Sequence, residues 1–231
     1  MSCSRSDLLS RSQNSLLYVL RSLDSDYFPE GADAVRARAK TVEFSRCIPF
    51  IFLHVVCLAA FWVKPSLFTL AVAIGLYWIR MFAITGFYHR YFSHRSYSTS
   101  RVMQFIFAVW GATSGQRGPL WWAAHHRLHH RESDREKDVH SPVQRGFLWS
   151  HIGWITSSAN IPTDYSAVPD LAKYPELVLV NRFDWVPPFL LALALLFTGN
   201  ILQVVAPQLQ TSGLQLLIWG FFVSTVVLFH G

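Results

Sequence analysis

The last segment of the chain contains no charged residue. From Trp185 to Gly231 there is no Asp, Glu, Lys or Arg. A stretch of this length suits the hydrocarbon interior of a bilayer, which a helix of about 20 apolar residues can cross. The alternative is a set of helices buried in a large soluble core. The composition favours the membrane, because charged residues make up 15% of the 231 residues, against about 25% in a typical soluble domain.

Four segments of the sequence are long and apolar enough to span a membrane as helices. They are residues 46–64, 66–87, 186–206 and 213–230. Short breaks separate the first span from the second and the third from the fourth, so the spans are predicted to form two hairpins. Arg80 is the one charged residue inside the second span. A fifth uncharged stretch, Val102 to Gln116, is shorter and is predicted to be a helix in the membrane interface.

The basic residues predict how these spans are oriented. Eleven of the twenty Lys and Arg residues lie between Phe87 and Trp185, and seven precede Cys47. Because short basic loops stay on the cytoplasmic side, the N-terminal segment 1–45 and the central segment 88–185 are predicted to be cytoplasmic. The net charge of +6 is then explained by this uneven distribution of basic residues, which would lie near an anionic membrane face. It does not indicate nucleic-acid binding, since the basic residues form no stripe on a soluble module.

Six of the ten histidines fall in two clusters, and each cluster follows an apolar stretch. Neutral imidazole is a good ligand for iron, zinc or copper. Two such clusters on the same predicted side of the membrane indicate a metal centre at that membrane face. The clusters are HRYFSH, with His89 and His94, and HHRLHH, with His125, His126, His129 and His130.

The spacing of the second cluster is that of one helix face. His126, His129 and His130 stand at i, i+3 and i+4, so two or three of their imidazoles can point into a common volume. His125 is predicted to point elsewhere. The alternative is a set of solvated histidines at a membrane interface.

The first cluster is harder to place on a regular helix. His89 and His94 are five residues apart, which is more than one turn. They fit better if the helix ends near residues 91–94, or if they bind two different metals. The remaining histidines are isolated, and a structural role is the more common one for such residues: His54, His140, His151 and His230.

Together these segments resemble the membrane-bound fatty acid desaturases, and most closely the acyl-CoA delta-9 (stearoyl-CoA) type. The matching pieces are GFYHRYFSHRSY at 86–97, the HHRLHH cluster, and DVHSPVQRGFLWSHIGW at 138–154. The resemblance covers residues 46–231 and implies one desaturase domain there. The implied fold is an all-α integral membrane protein, with four transmembrane helices in two hairpins and a cytosolic helical cap that carries the histidine boxes.

The resemblance also implies a chemistry. A desaturase of this type holds two iron ions on histidines from three boxes and uses O2 to remove two hydrogens from an acyl chain, carried by CoA or by another group. The sequence has no haem or flavin motif, so the electrons are expected from a separate ferredoxin-like or cytochrome b5-like protein, with membrane lipid as the surroundings.

Particular residues of this chain match the desaturase pattern. The implied iron ligands are His89, His94, His126, His129 and His130. Gln116 and Trp122 match positions that line the bend of the acyl tunnel. A bulky Trp122 wall beside the metal cluster would hold a saturated chain at one register.

The chain also departs from the desaturase pattern. The family has an Asn-Ser-x-x-His element and a third box of the H-x-x-H-H type beyond the fourth span, and neither follows that span in the given sequence. We therefore expect a C-terminally incomplete desaturase domain that inserts into membranes but binds iron weakly and does not desaturate by itself. The alternatives are a related di-iron membrane hydroxylase, and a non-catalytic protein, either a degenerate copy or a metal-binding scaffold.

Overall fold

A computed structural model describes residues 17–231, and every regular element within that range is helical. The predicted all-α class with four spanning helices is confirmed. Seven long helices organise the fold: α1 (Phe44–Phe61), α2 (Leu67–Ser93), α3 (Arg101–Ala112), α4 (Pro119–Glu132), α5 (Pro175–Arg182), α6 (Val186–Val205) and α7 (Gly213–His230).

Shorter helical turns connect the long helices. Besides the helical residues 17–23 at the start of the described range, one such turn precedes α1, six lie between α4 and α5, and one lies between α6 and α7. Their bounds are Ala32–Arg36, Pro142–Arg145, Phe147–His151, Gly153–Thr156, Ser158–Asn160, Tyr165–Ala167, Pro169–Ala172 and Pro207–Leu209.

Helices α1, α2, α6 and α7 have the length and apolarity to cross a membrane. They match the predicted spans closely, except that α2 continues to Ser93, six residues beyond the predicted end. Their outer surfaces are apolar and open: Phe61, Leu67 and Val204 each expose about four fifths or more of their side chains. Such apolar surfaces suit contact with lipid tails. Helices can lie there because they satisfy their backbone hydrogen bonds internally.

The two predicted hairpins pack side by side, with their short loops at the same end. Thr69 Oγ1 and Thr211 Oγ1 lie 2.7 Å apart in a buried contact, and Gln215 Nε2 donates to the Lys64 carbonyl at 2.7 Å. A Cβ atom on Gly199 would lie 2.4 Å from the Ser212 carbonyl oxygen. Only glycine allows this approach of α6 to the start of α7, as is common between membrane helices.

The cap is formed by α3, α4, α5 and the segments between them, packed on the end of α2. Its core includes Tyr88, Phe92, Ala108 and Leu120, all fully buried. Helix α3 ends at Ala112, earlier than the predicted stretch, because the chain then turns through Gly115 and Arg117 with positive φ angles. The N-terminal segment from residue 17 lies against the cap, where Ser25 N donates to the Arg182 carbonyl at 2.7 Å.

Candidate metal centre

The first histidine cluster lies on a π-helix. Residues 83–93 of α2 are wound this way, and the last hydrogen bond of the segment runs from His94 N to His89 O, five residues back, at 3.1 Å. Ser93 Oγ also donates to the Tyr88 carbonyl at 2.8 Å. In a π-helix, residues five apart stand one above the other. The winding therefore brings His89 and His94 together, with 3.0 Å between their Nε2 atoms.

The second cluster is carried by α4, whose start is fixed from α5. Asn181 Oδ1 accepts from the backbone N–H groups of Leu120 and Trp121 at 3.1 and 2.8 Å. This satisfies N–H groups that have no partner within the helix itself. A Cβ atom on Gly118 would lie 2.4 Å from Asn181 Oδ1, so the contact requires glycine. Proline at position 119 suits the first helical turn.

Arg127 joins the two clusters. Its Nη2 and Nε donate to the carbonyls of Phe92 and Ser93 at 2.7 and 3.1 Å. Its guanidinium also pairs with Asp170, at 2.8 Å from Oδ1. These carbonyls lie at the end of the π-helix, where α2 leaves its C=O groups without partners. Arg127 therefore fixes α4 against the histidine-bearing end of α2.

Four imidazoles converge where α2 and α4 meet. His94 Nε2 lies 3.0 Å from His89 Nε2 and 3.1 Å from His126 Nε2, and His126 Nε2 lies 3.0 Å from His130 Nε2. The ligand atoms of all four residues lie within 4.8 Å of one another. The sequence-predicted residues from the two boxes thus meet in one place, apart from His129.

These contacts fit a metal cation better than a set of hydrogen bonds. An imidazole nitrogen carries either one hydrogen or one lone pair, so His94 Nε2 and His126 Nε2 cannot each bond to two other nitrogens. A cation accepts all four lone pairs at once. The nitrogen–nitrogen separations of 3.0 and 3.1 Å would let one cation be shared among the rings. The donor set also suits iron, for which imidazole is a normal ligand.

His129 belongs to a second, adjacent group. Its Nδ1 lies 2.9 Å from Asp138 Oδ2, and its ring stacks on that of His140 with the centroids 4.3 Å apart. The Asp138 side chain is fully buried and also accepts from the backbone N–H of Asp134 at 3.1 Å. A carboxylate that holds Nδ1 fixes the imidazole tautomer and leaves Nε2 free for a metal.

The electrostatics favour the neutral forms of His126 and His130, since the pKa of each is lowered. Burial, followed by the neighbouring histidines, lowers the pKa of His126 to about 3. Burial likewise lowers the pKa of His130. Burial disfavours ionisation of Asp138, but hydrogen bonds from the backbone of Asp134 and His140 and from His129 outweigh it and lower the pKa of Asp138. Neutral imidazoles beside an ionised carboxylate are the forms in which these groups bind metals.

His125 points away from the metal group, as predicted. Its Nε2 lies 3.0 Å from the Asn160 carbonyl, and its ring contacts Trp121 and Trp154, with centroids 4.5 and 5.5 Å away. Burial lowers the pKa of His125 to about 4. It is therefore a neutral side chain inside the cap, donating to one carbonyl.

Gln116 and Trp122 line one cavity of about 340 Å³. Most of the other lining side chains are apolar, including Phe50, Ile155 and Phe229. The Trp122 indole stacks on His126 with centroids 4.7 Å apart. Trp122 therefore contacts both the cavity and the four-histidine group.

Three of the isolated histidines form a separate chain beside this cavity. His54 Nε2 lies 2.8 Å from His230 Nε2, and His230 Nδ1 lies 2.9 Å from His151 Nε2. His54 Nδ1 lies 2.7 Å from the Phe50 carbonyl and donates to it. Each nitrogen here has one partner, so three neutral rings satisfy every contact. This chain is explained by hydrogen bonding, in contrast to the four-histidine group.

Sequence reasoning missed the residues that hold the ligands in place. These are Asp138, Arg127 and Asn181, together with His140, which stacks on His129. Asp138 could have been noticed because it precedes His140 by two residues in the motif DVH. Nothing in the local sequence marks Asn181 as the cap of α4, because its partners lie about 60 positions earlier.

The fold and the site together define a class: a helical membrane protein with a cluster of converging histidines at one end of its spans. Residues 62–231 match the sequence profile of the fatty acid desaturase family. The match covers most of the chain, and the chain therefore belongs to that family.

Curated relatives agree with this assignment. The chain is 33% identical to an sn-1 stearoyl-lipid 9-desaturase of Anabaena variabilis, over 78% of this chain and 62% of the relative. It is 33% identical to an enzyme of the same name from Synechocystis sp., over 78% of this chain and 54% of the relative. It is 29% identical to the acyl-CoA 5-desaturase AL21 of Anemone leveillei, over 90% and 64%. The aligned region thus spans between half and two thirds of these relatives.

Proposed function

We propose that the complete protein is a membrane-bound, non-haem di-iron fatty acid desaturase. It introduces a cis double bond at the delta-9 position of an acyl chain carried by CoA or by a lipid, in unsaturated fatty acid biosynthesis. One observation carries the proposal: four imidazoles converge beside a mostly apolar cavity, and Trp122 lines that cavity while its ring stacks on His126. The names of two relatives support the delta-9 position.

The five sequence-predicted histidines would hold the iron ions. When bound, the metal supplies activated oxygen, which can remove hydrogen from an unactivated methylene group, a task beyond acid–base side chains. The chain's own contribution is to present neutral imidazoles on rigid helices. Asp138 orients His129 through Nδ1, and Arg127 fixes α4 against α2. Rigid support of this kind keeps the reacting geometry within a narrow range.

The cavity would hold the acyl chain. Its apolar lining excludes water from the methylene groups, and Trp122 limits how closely the chain approaches the histidines. Arg46 and Arg117 also line the cavity and suit the polar end of the substrate. Gln116 provides a polar side chain in the lining of the cavity.

The proposal also concerns the surroundings of the protein. The cap and the N-terminal segment lie in the cytoplasm, where a separate ferredoxin-like or cytochrome b5-like protein delivers electrons. The eleven basic residues between Phe87 and Trp185 support this orientation. Segment 1–45 is a cytosolic extension, and residues 46 onward form the desaturase domain.

Expression of the complete protein in a host that lacks its own desaturase tests the function. We expect a monounsaturated fatty acid with the double bond at carbon 9, located by mass spectrometry of derivatised fatty acids. The matched control is His126→Ala, which should abolish the product without loss of membrane insertion. A hydroxylated product would assign the protein to the hydroxylases, and product formation by His126→Ala would contradict the proposed site.

A further inference from the structure

Arg80 is a buried guanidinium inside a membrane span. It lies on α2 and exposes 1% of its surface. A charge within a bilayer is costly, and such residues are usually functional. Neither the metal group nor the histidine chain beside the cavity uses it.

The acceptors that Arg80 reaches are neutral oxygens from three elements. Nη2 donates to Ser224 Oγ at 2.5 Å, and Nη1 donates to Thr225 Oγ1 at 2.8 Å. Nη1 also donates to the Thr113 carbonyl at 3.4 Å, and Nε to the Leu76 carbonyl at 3.3 Å. The side chain therefore ties α2 to α7 and to the end of α3.

The hydroxyl hydrogens of Ser224 and Thr225 are both donated to carbonyls of their own helix. Ser224 Oγ donates to the Gly220 carbonyl and Thr225 Oγ1 to the Phe221 carbonyl, each at 2.5 Å. Both carbonyls belong to a π-helical stretch of α7, residues 216–223. Because each hydroxyl has one hydrogen, its lone pairs face Arg80. The guanidinium thus fixes the orientation of both side chains at the end of that stretch.

Two of these contacts border the cavity that Gln116 and Trp122 line. Thr225 lines it directly, as do Gly115 and Gln116, which follow Thr113 in the chain. Thr225 Cγ2 is the nearest atom to a Cβ built on Gly115, at 3.9 Å. Arg80 Nη1 therefore holds the α7 side of the cavity and the segment that carries Gln116 at a fixed separation.

We infer that Arg80 is a positioning residue that sets the width of the cavity between Thr225 and Gln116, and thereby the carbon atoms of the acyl chain that are desaturated. The inference rests on the proposed function. A neutral side chain could pin two helices at lower cost. The planar guanidinium, with its several fixed N–H groups, is suited to holding three elements in one geometry.

The test compares the position of the double bond in products of Arg80→Gln, Arg80→Lys and Thr225→Val, each in the complete protein. We expect Arg80→Gln and Thr225→Val to yield a second positional isomer. The total product should fall about tenfold or more, as small misplacements of a substrate commonly cause. Arg80→Lys should be intermediate, because an ammonium keeps the charge without the fork. The double variant Arg80→Gln/Thr225→Val should resemble either of its single variants, since each single change already removes the hydrogen bond between Arg80 Nη1 and Thr225 Oγ1.

Thr85→Val is the matched control. Thr85 also lies on α2 and its hydroxyl bonds to the Met81 carbonyl at 3.0 Å, but it is exposed, so its loss should leave the isomer unchanged. If Arg80→Gln does not fold, Thr225→Val and Ser224→Ala still decide the matter. Wild-type activity with one unchanged isomer in every variant overturns the inference and leaves the proposed function standing. A wild-type protein that makes no unsaturated product overturns both.

Discussion

At the scale of single residues, the buried carboxylate of Asp138 has the sharpest predicted effect. We expect Asp138→Asn to weaken metal binding by about 10- to 100-fold, as the loss of a partner to a ligating histidine commonly does. The physical reason is that both Asp138 oxygens accept N–H groups, Oδ2 from His129 and Asp134 and Oδ1 from His140. An amide has one accepting oxygen and no charge, so it holds the Nδ1 hydrogen of His129 less firmly. Titration of the purified protein with Fe²⁺ under anaerobic conditions measures the affinity.

The control for this change is Asp33→Asn. Asp33 pairs with Arg36, and its side chain is 97% exposed, so its loss should leave the metal affinity unchanged. Equal affinities for Asp138→Asn and the wild-type protein would show that His129 needs no orienting partner.

For single residues, prediction from the sequence succeeded where the position along a regular helix decides the direction of a side chain. The i, i+3, i+4 pattern correctly separated His125 from its neighbours on α4, because an α-helix fixes those directions. It did not foresee that His129 would pair with Asp138 rather than join His126 and His130. That choice depends on a loop contact nine residues away, which no helical period encodes. The assignment of the five histidines to iron stays a prediction.

At the scale of helices, the close contact at Gly118 predicts a loss of stability. A methyl group there would lie 2.4 Å from Asn181 Oδ1 and 2.5 Å from Asn181 Cα. We expect Gly118→Ala to destabilise the protein by about 1–3 kcal/mol, the usual cost of overpacking. Thermal unfolding in detergent measures the change.

Gly75→Ala is the comparison for that substitution. Gly75 lies within α2, and a Cβ atom there meets nothing within 4 Å. We expect it to be neutral or to stabilise by up to about 1 kcal/mol, since alanine is the better helix former. A Gly118→Ala protein as stable as Gly75→Ala would mean that α4 does not depend on the Asn181 cap.

The helices themselves were largely predictable from the sequence, and their irregularities were not. Runs of apolar residues located all four spans, because the bilayer imposes length and apolarity on any spanning helix. The π-helix at residues 83–93 was missed, and with it the reason why His89 and His94 can meet. It contains no proline, and its winding depends on contacts such as that of Arg127 with the Phe92 carbonyl, which come from elsewhere in the chain.

At the scale of the whole molecule, the two short loops lie at one end of the spans and the cap at the other. We predict that the cap faces the cytoplasm. In a protein whose own cysteines are replaced by serine, Gln208→Cys in a short loop should react with an impermeant maleimide added outside intact cells. Val143→Cys, at an exposed position of the cap, should react only after permeabilisation. The reverse pattern would invert the topology.

The central claim is that the imidazoles of α2 and α4 form a metal centre. The most direct test is the iron content of the purified complete protein, measured by mass spectrometry for His126→Ala and His125→Ala alongside the wild type. These neighbours differ in direction, since His126 faces three other histidines and His125 faces the Asn160 carbonyl. The account predicts that His126→Ala loses most of its iron and that His125→Ala retains it. Equal loss in both variants, or retention in both, would contradict it.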